Sequence, residues 1–201
     1  IPDQIEAGTD MATVSATGGE VLIKNVIPKH LECITAKLEE MGVEIEDRDD
    51  AVLVRSNGKL TRTNVKTLPY PGFPTDMQPQ IAADLCLAQG TSVLTEGVWD
   101  NRYRYVDEFR RMGAQIQVDG KVAVIEGVEH LTGAKLRACD LRAGAAMVIA
   151  AQAAHGTSEI SNIHHIERGY EDIVRKLSNI GADIRVVVTP DEDQQTEANA
   201  G

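Results

Sequence analysis

Aromatic residues are scarce: Phe, Tyr and Trp together make up 3% of the 201 residues. The core must therefore be built from Ala, Val, Ile and Leu, which suits tightly packed helices on sheets. Cysteine is scarce as well. Cys33, Cys86 and Cys139 cannot all pair within the chain and lack CxxC spacing. This argues against a disulfide framework or a zinc site and fits a reducing, cytoplasmic setting. Positive charge is in deficit, with 20 Lys and Arg against 31 Asp and Glu and a net charge of −11. Such a chain is not expected to bind nucleic acid or an anionic membrane, and an anionic ligand would have to be held by local arginines. Long apolar runs are also lacking. The most apolar stretch, Ala143 to Ala154, is shorter than the roughly 18 residues a membrane span requires and reads as a buried helix. No basic segment followed by an apolar one opens the chain, so a signal peptide is not expected. Ile1 in place of Met is the expected mark of a fragment, a trimmed product or a processed one. No metal or cofactor is implied, because His164-His165 has no companion acid or Cys at metal spacing.

What the chain does contain is a repeat. Leu38-Glu-Glu-Met-Gly-Val-Glu-Ile45, Phe109-Arg-Arg-Met-Gly-Ala-Gln-Ile116 and Leu177-Ser-Asn-Ile-Gly-Ala-Asp-Ile184 resemble one another. Their glycines, Gly42, Gly113 and Gly181, recur about every 70 residues, the sign of a duplicated architecture. Upstream of each lies a second echo, beginning at Gly19, Gly90 and Gly156. Further upstream, Asp3, Asp76 and Asp140 each open an Ala-rich stretch.

Periodicity assigns the elements. Leu31, Ile34, Leu38 and Met41 share one helical face, as do Val106, Phe109 and Met112, and Ile173, Val174, Leu177 and Ile180. A glycine follows each helix, at the position where the left-handed conformation is needed. Strands are predicted over Val43 to Glu46, Ala114 to Val118 and Ala182 to Val187, and again over Ala51 to Arg55 and Val122 to Glu126. Asp49-Asp50 and Asp119-Gly120 suit the intervening hairpin turns. One unit thus reads strand, Ala-rich helix, strand, amphipathic helix, strand, strand. The first copy lacks its opening strand and the third its last. The expectation is one α/β domain over residues 1–188, pseudo-threefold, with Ala-rich helices inside and amphipathic helices outside. The polar, acidic residues 189–201 are expected to be a disordered tail.

Four segments carry a resemblance: Pro71-Gly-Phe-Pro-Thr-Asp-Met-Gln78, Asp100-Asn-Arg102, Asp140-Leu-Arg-Ala-Gly144 and His165-Ile-Glu-Arg-Gly-Tyr-Glu171. In order and spacing they resemble the UDP-N-acetylglucosamine enolpyruvyl transferases, C-terminal half, from Ile1 to about Val188. Glu167 departs from that pattern, where the family has Asp. The resemblance implies an inside-out α/β fold of six such units, three per domain, in a cytoplasmic enzyme. It also implies transfer of enolpyruvyl from phosphoenolpyruvate to the 3-hydroxyl of UDP-N-acetylglucosamine, the first committed step of peptidoglycan synthesis. The partner would be an N-terminal domain bearing the family's reactive cysteine, without which this half would be inactive. A non-catalytic ligand-binding or regulatory module, or a shikimate-pathway enolpyruvyl transferase, are the alternatives.

For Asp76 the resemblance implies the base that accepts the sugar hydroxyl's proton. Its position ahead of a helix equally suits an N-cap, like Asp3 and Asp140. Arg102, Arg142 and Arg168 read on their own as solvated surface cations. The resemblance makes them phosphate or carboxylate contacts, for which guanidinium is suited. Asp140 and Leu141 are implied at the reacting centre, at a helix N-terminus that favours anions. Val98 is implied to contact the nucleotide sugar through its backbone. Cys139 reads as a small residue at a strand end, and Cys33 and Cys86 as packing positions.

Overall fold

The computed structural model describes residues 3–170 and 172–188. The chain divides into two compact units, residues 1–171 and 172–201. The expected tail, 189–201, lies outside the described residues.

The first repeat runs α1 (Gln4–Thr17), β1 (Gly19–Lys24), α2 (Glu32–Glu40), β2 (Glu44–Asp47) and β3 (Ala51–Ser56). Its three strands form an antiparallel sheet in the order β1-β3-β2. The second runs β4 (Leu60–Thr61), β5 (Val65–Lys66), α3 (Gln78–Leu85), β6 (Ala88–Gln89), β7 (Thr91–Thr95), α4 (Val106–Arg111), β8 (Gln115–Asp119) and β9 (Val122–Glu126). Here the order is β5-β7-β9-β8, with β5 parallel to β7 and the other pairs antiparallel. The third begins with β10 (Lys135–Arg137), α5 (Leu141–Ala153), β11 (Glu159–Ser161) and the single turn α6 (His164–Glu167), with β10 parallel to β11. Residues beyond 171 contribute α7 (Ile173–Asn179).

The repeat is reproduced down to single hydrogen bonds. Gly42, Gly113 and Gly181 have φ of 95°, 93° and 103°. Their N–H groups donate to Glu39, Arg110 and Ser178, while those of Val43, Ala114 and Ala182 donate to Leu38, Phe109 and Leu177. This is the Schellman closure, and the left-handed backbone it demands explains the glycine in every copy.

The core is where the small side chains predicted it. In α5, Ala143 to Ala150 are buried, and Ala145 and Ala146 are fully so. Helices α1, α3 and α5 pack on one another. Their Ala and Gly content lets the backbones approach closely: a Cβ on Gly8 would meet Ile34 and Met77 at 2.8 and 2.9 Å. In contrast, α2 and α4 bury one stripe each, Ile34 and Leu38, and Val106 and Phe109. That is the inner and outer arrangement expected.

One element differs. Residues 182–187, expected as a strand, have no strand structure. In the first two repeats the equivalent strands β2 and β8 exist by pairing with β3 and β9. Among the described residues the third copy has no such following strand, and an alternating sequence without a partner has nowhere to place its ladder hydrogen bonds.

Candidate functional site: a carboxylate held by two arginines

Three segments meet at Asp76. The first is a single 3-10 turn, Thr75–Met77, leading into α3. Phe73 and Met77 are buried on either side, so the turn is pinned and the Asp76 side chain remains 46% exposed between them. Its carboxylate caps nothing: neither the turn nor α3 has a side-chain cap bond. The N-cap reading, which holds for Asp3 and Asp140, is thereby excluded for Asp76.

The second segment is the loop after β7. Asn101, at φ 60°, bends the chain immediately before Arg102. A left-handed residue is tolerated there because Asn can adopt it at low cost. Arg102 Nη2 then donates to Asp76 Oδ1 at 3.0 Å. The third segment is the start of α5, where Arg142 Nη2 stands 3.7 Å from Asp76 Oδ2. Arg142 is anchored from the other side: its Nη1 donates to the Tyr170 hydroxyl at 3.1 Å. Each oxygen of Asp76 thus faces its own guanidinium.

The remaining candidates sit around this triad. Asp140 caps α5, accepting from the Ala143 N–H at 2.9 Å, and is exposed. Leu141 abuts the turn after α6, since a Cβ on Gly169 would lie 2.6 Å from its side chain. Arg168 is exposed and makes no ion pair among the described residues. It stands two residues before Tyr170, and so on the segment that anchors Arg142. Val98 lies on the same loop as Arg102, with its N–H donating to Glu96 Oε1 at 3.3 Å.

Cys139 is half-buried, its Sγ 3.8 Å from Asp140 Oδ2. Burial first, and then the charge of Asp140, raise its thiol pKa. It is poorly suited to act as a thiolate nucleophile. Cys86 is fully buried in the packing position expected of it. Cys33 is half-buried, and its thiol donates to the Pro71 carbonyl at 2.8 Å. Among the described residues no group of three or more His, Cys, Asp or Glu could hold a metal ion, and no helix is long and apolar enough to cross a membrane.

Two residues of this centre escaped the sequence reading. Tyr170 lies inside a recognised motif but had no role assigned. Glu96 is buried beside the Arg102 loop. The strand parity contained a signal for it: Ser92 and Leu94 point inward along β7, and Glu96 continues that alternation as a buried carboxylate.

A repeated α/β architecture that frames one carboxylate with guanidinium groups defines a domain suited to an anionic ligand next to a proton acceptor. Comparisons with known proteins show the family. The family model of EPSP synthase (3-phosphoshikimate 1-carboxyvinyltransferase) matches residues 1–177. UDP-N-acetylglucosamine 1-carboxyvinyltransferase 3 of Caldanaerobacter subterraneus subsp. tengcongensis is 58% identical over 92% of the chain and 44% of its own length. UDP-N-acetylglucosamine 1-carboxyvinyltransferase of Desulfofundulus thermocisternus is 53% identical over 92% of the chain and 76% of that relative. Among solved structures, the enolpyruvyl transferase NikO from Streptomyces tendae superposes with a TM-score of 0.84 at 31% identity, over 94% of this chain and 45% of that one. The chain belongs to the enolpyruvyl (1-carboxyvinyl) transferase family. It spans under half the length of the first of these relatives.

Proposed function

We propose that this chain is the C-terminal part of an enzyme that transfers the enolpyruvyl group of phosphoenolpyruvate to the 3-hydroxyl of UDP-N-acetylglucosamine. The observation that carries the reading is 58% identity, over 92% of the chain, to a relative named for transfer to UDP-N-acetylglucosamine. The site chemistry is compatible. Asp76 accepts the proton of the attacking hydroxyl as the sugar oxygen bonds to C2 of phosphoenolpyruvate and a proton is added at C3. In the second half the C2–phosphate bond breaks, phosphate departs, and loss of a proton from C3 restores the vinyl group. Arg102, Arg142 and Arg168 hold the phosphate and carboxylate charges, with Asp140 and Leu141 at the adjoining helix N-terminus. The Val98 backbone positions the nucleotide sugar.

Each oxygen of Asp76 faces a guanidinium group, so the sugar hydroxyl reaches the carboxylate only as an arginine gives way. An anionic ligand supplies the competing partner that draws an arginine away. In this reading residues 1–188 form one domain, which is supported by a family match running to residue 177. A further domain supplies the rest of the cleft, and the complete protein works in the cytoplasm on the path to peptidoglycan.

The family model's own description names 3-phosphoshikimate as the acceptor of its type member, which is the competing reading. Phosphate release by the complete protein, given phosphoenolpyruvate and either UDP-N-acetylglucosamine or shikimate 3-phosphate, separates the two. Release with the nucleotide sugar alone is expected. Release with shikimate 3-phosphate alone, or with neither, overturns the proposal.

A further inference from the structure

Glu96 directly follows β7 and is 1% exposed. A buried carboxylate is costly unless donors surround it, and here one oxygen collects four. Glu96 Oε1 accepts from the Thr67 hydroxyl at 2.7 Å and the Thr75 hydroxyl at 2.8 Å. It also accepts from the backbone N–H groups of Val98 and Trp99, both at 3.3 Å. These donors come from separate segments. Thr75 is the neighbour of Asp76 in the 3-10 turn. Val98 and Trp99 begin the loop that delivers Arg102. Thr67 ties both to the strand below, and also accepts from the Gly97 N–H at 2.8 Å. The approach is so close that a Cβ on Gly97 would lie 2.1 Å from the Thr67 carbonyl oxygen. Only glycine fits there.

We infer that Glu96 is a positioning residue: it joins the Asp76 turn to the Val98–Arg102 loop and so sets the geometry of the Asp76–Arg102 pair. Among the described residues the other hydrogen bond between these two segments is the Asp76–Arg102 pair itself. The 3-10 turn is three residues long, and the loop runs from Gly97 to Arg104 without a strand or helix. A short turn and an irregular loop do not by themselves hold two side chains to within the tolerance that catalysis needs, and a misplacement of ~1 Å can cost about a hundredfold in rate. Four hydrogen bonds converging on one buried oxygen supply that rigidity, because in the low-dielectric interior each is stronger than it would be in water. The catalytic consequence rests on the proposed transferase reading. The structural consequence does not.

The experiment has two readouts. Trp99 is the single tryptophan of the 201 residues, and its own N–H is one of the four donors. In the 201-residue chain, Glu96→Ala is expected to leave the circular dichroism spectrum unchanged while acrylamide quenching of Trp99 rises and its emission shifts to the red. Glu96→Gln should largely restore both, because the amide keeps the accepting oxygen and Glu96 Oε2 has no partner to lose among the described residues. Thr75→Val, which removes one donor without opening a cavity, should shift emission in the same direction by less, and it decides the matter if Glu96→Ala does not fold. Folded variants with unchanged emission and quenching overturn the inference. In the complete protein, Glu96→Ala should lower kcat by about a hundredfold with a smaller change in KM, and Glu96→Gln should recover most of the loss. Equal loss in the two variants, or a change in KM alone, also overturns it. If the unsubstituted complete protein transfers no enolpyruvyl group, the transferase reading fails, and the fluorescence result still decides the role of Glu96.

Discussion

The Tyr170 hydroxyl lies 3.1 Å from Thr9 Oγ1, a contact between residues 161 positions apart. Gln80 completes the arrangement, its Nε2 standing 3.2 Å from both oxygens. The protons can be accounted for one by one. Thr9 donates to the Ile5 carbonyl at 2.7 Å, so Tyr170 donates to Thr9. The two N–H bonds of Gln80 go to Thr9 and Tyr170, and Arg142 adds a further donor to Tyr170. One cluster thus links α1, α3 and the start of α5 with the segment after α6, and ends on a guanidinium that faces Asp76.

Tyr170→Phe removes the hub of that cluster and leaves one buried N–H of Gln80 without an acceptor. A loss of about 1–3 kcal/mol is expected, measured as a lower urea midpoint with an unchanged slope. Arg142 also loses its anchor, so the complete protein should show a raised KM for phosphoenolpyruvate.

Asp76→Ala should be nearly silent in stability and severe in function. Its ion pairs are half-exposed, and such pairs contribute about 1 kcal/mol or less. Loss of a general base costs about a hundredfold to ten-thousandfold in turnover. Thermal unfolding beside phosphate-release kinetics checks both halves of the statement. Substantial retained turnover would refute the assignment of Asp76 as base.

At Asp140 two substitutions separate a cap from a charge. Asn is as good an N-cap as Asp, whereas Ala loses about 1 kcal/mol. Asp140→Asn should therefore keep the unfolding midpoint and lose turnover in the complete protein. Asp140→Ala should lose both. If Asp140→Asn turns over normally, the residue is a cap and nothing more.

Asp84, fully buried in α3, has neither oxygen hydrogen-bonded among the described residues. Burial raises its pKa well above the ordinary 3.8, so the folded chain holds a proton that the unfolded chain releases. The sign follows from linkage. The folded state binds more protons across the window above the ordinary Asp value, so stability falls as pH rises through that window. Asp84→Asn should flatten this dependence by about one proton per molecule and raise the unfolding midpoint at neutral pH. Denaturation curves at several pH values report both quantities.

How much of this was legible in the sequence depends on the range of the interaction concerned. Gly42, Gly113 and Gly181 announced three helix ends, because a Schellman closure is made within six residues and demands a left-handed backbone. The Ala-rich stretch of α5 announced a buried helix for a similar reason, since side-chain size along one segment already limits what can pack on it. Residues 182–187 alternate as a strand should, yet form none, because a strand exists only through a partner that its own sequence does not contain. The same limit applied at the site. Motif resemblance marked Asp76, Arg102 and Arg142, but no local pattern could say whether Asp76 caps a helix or faces two arginines. Tertiary structure decided that, by bringing together side chains 26 positions apart in one pair and 66 in the other. Glu96 and Tyr170 matter for the same reason: hydrogen bonds between distant side chains have no period along the chain, and they appear only once the backbone has brought their donors and acceptors together.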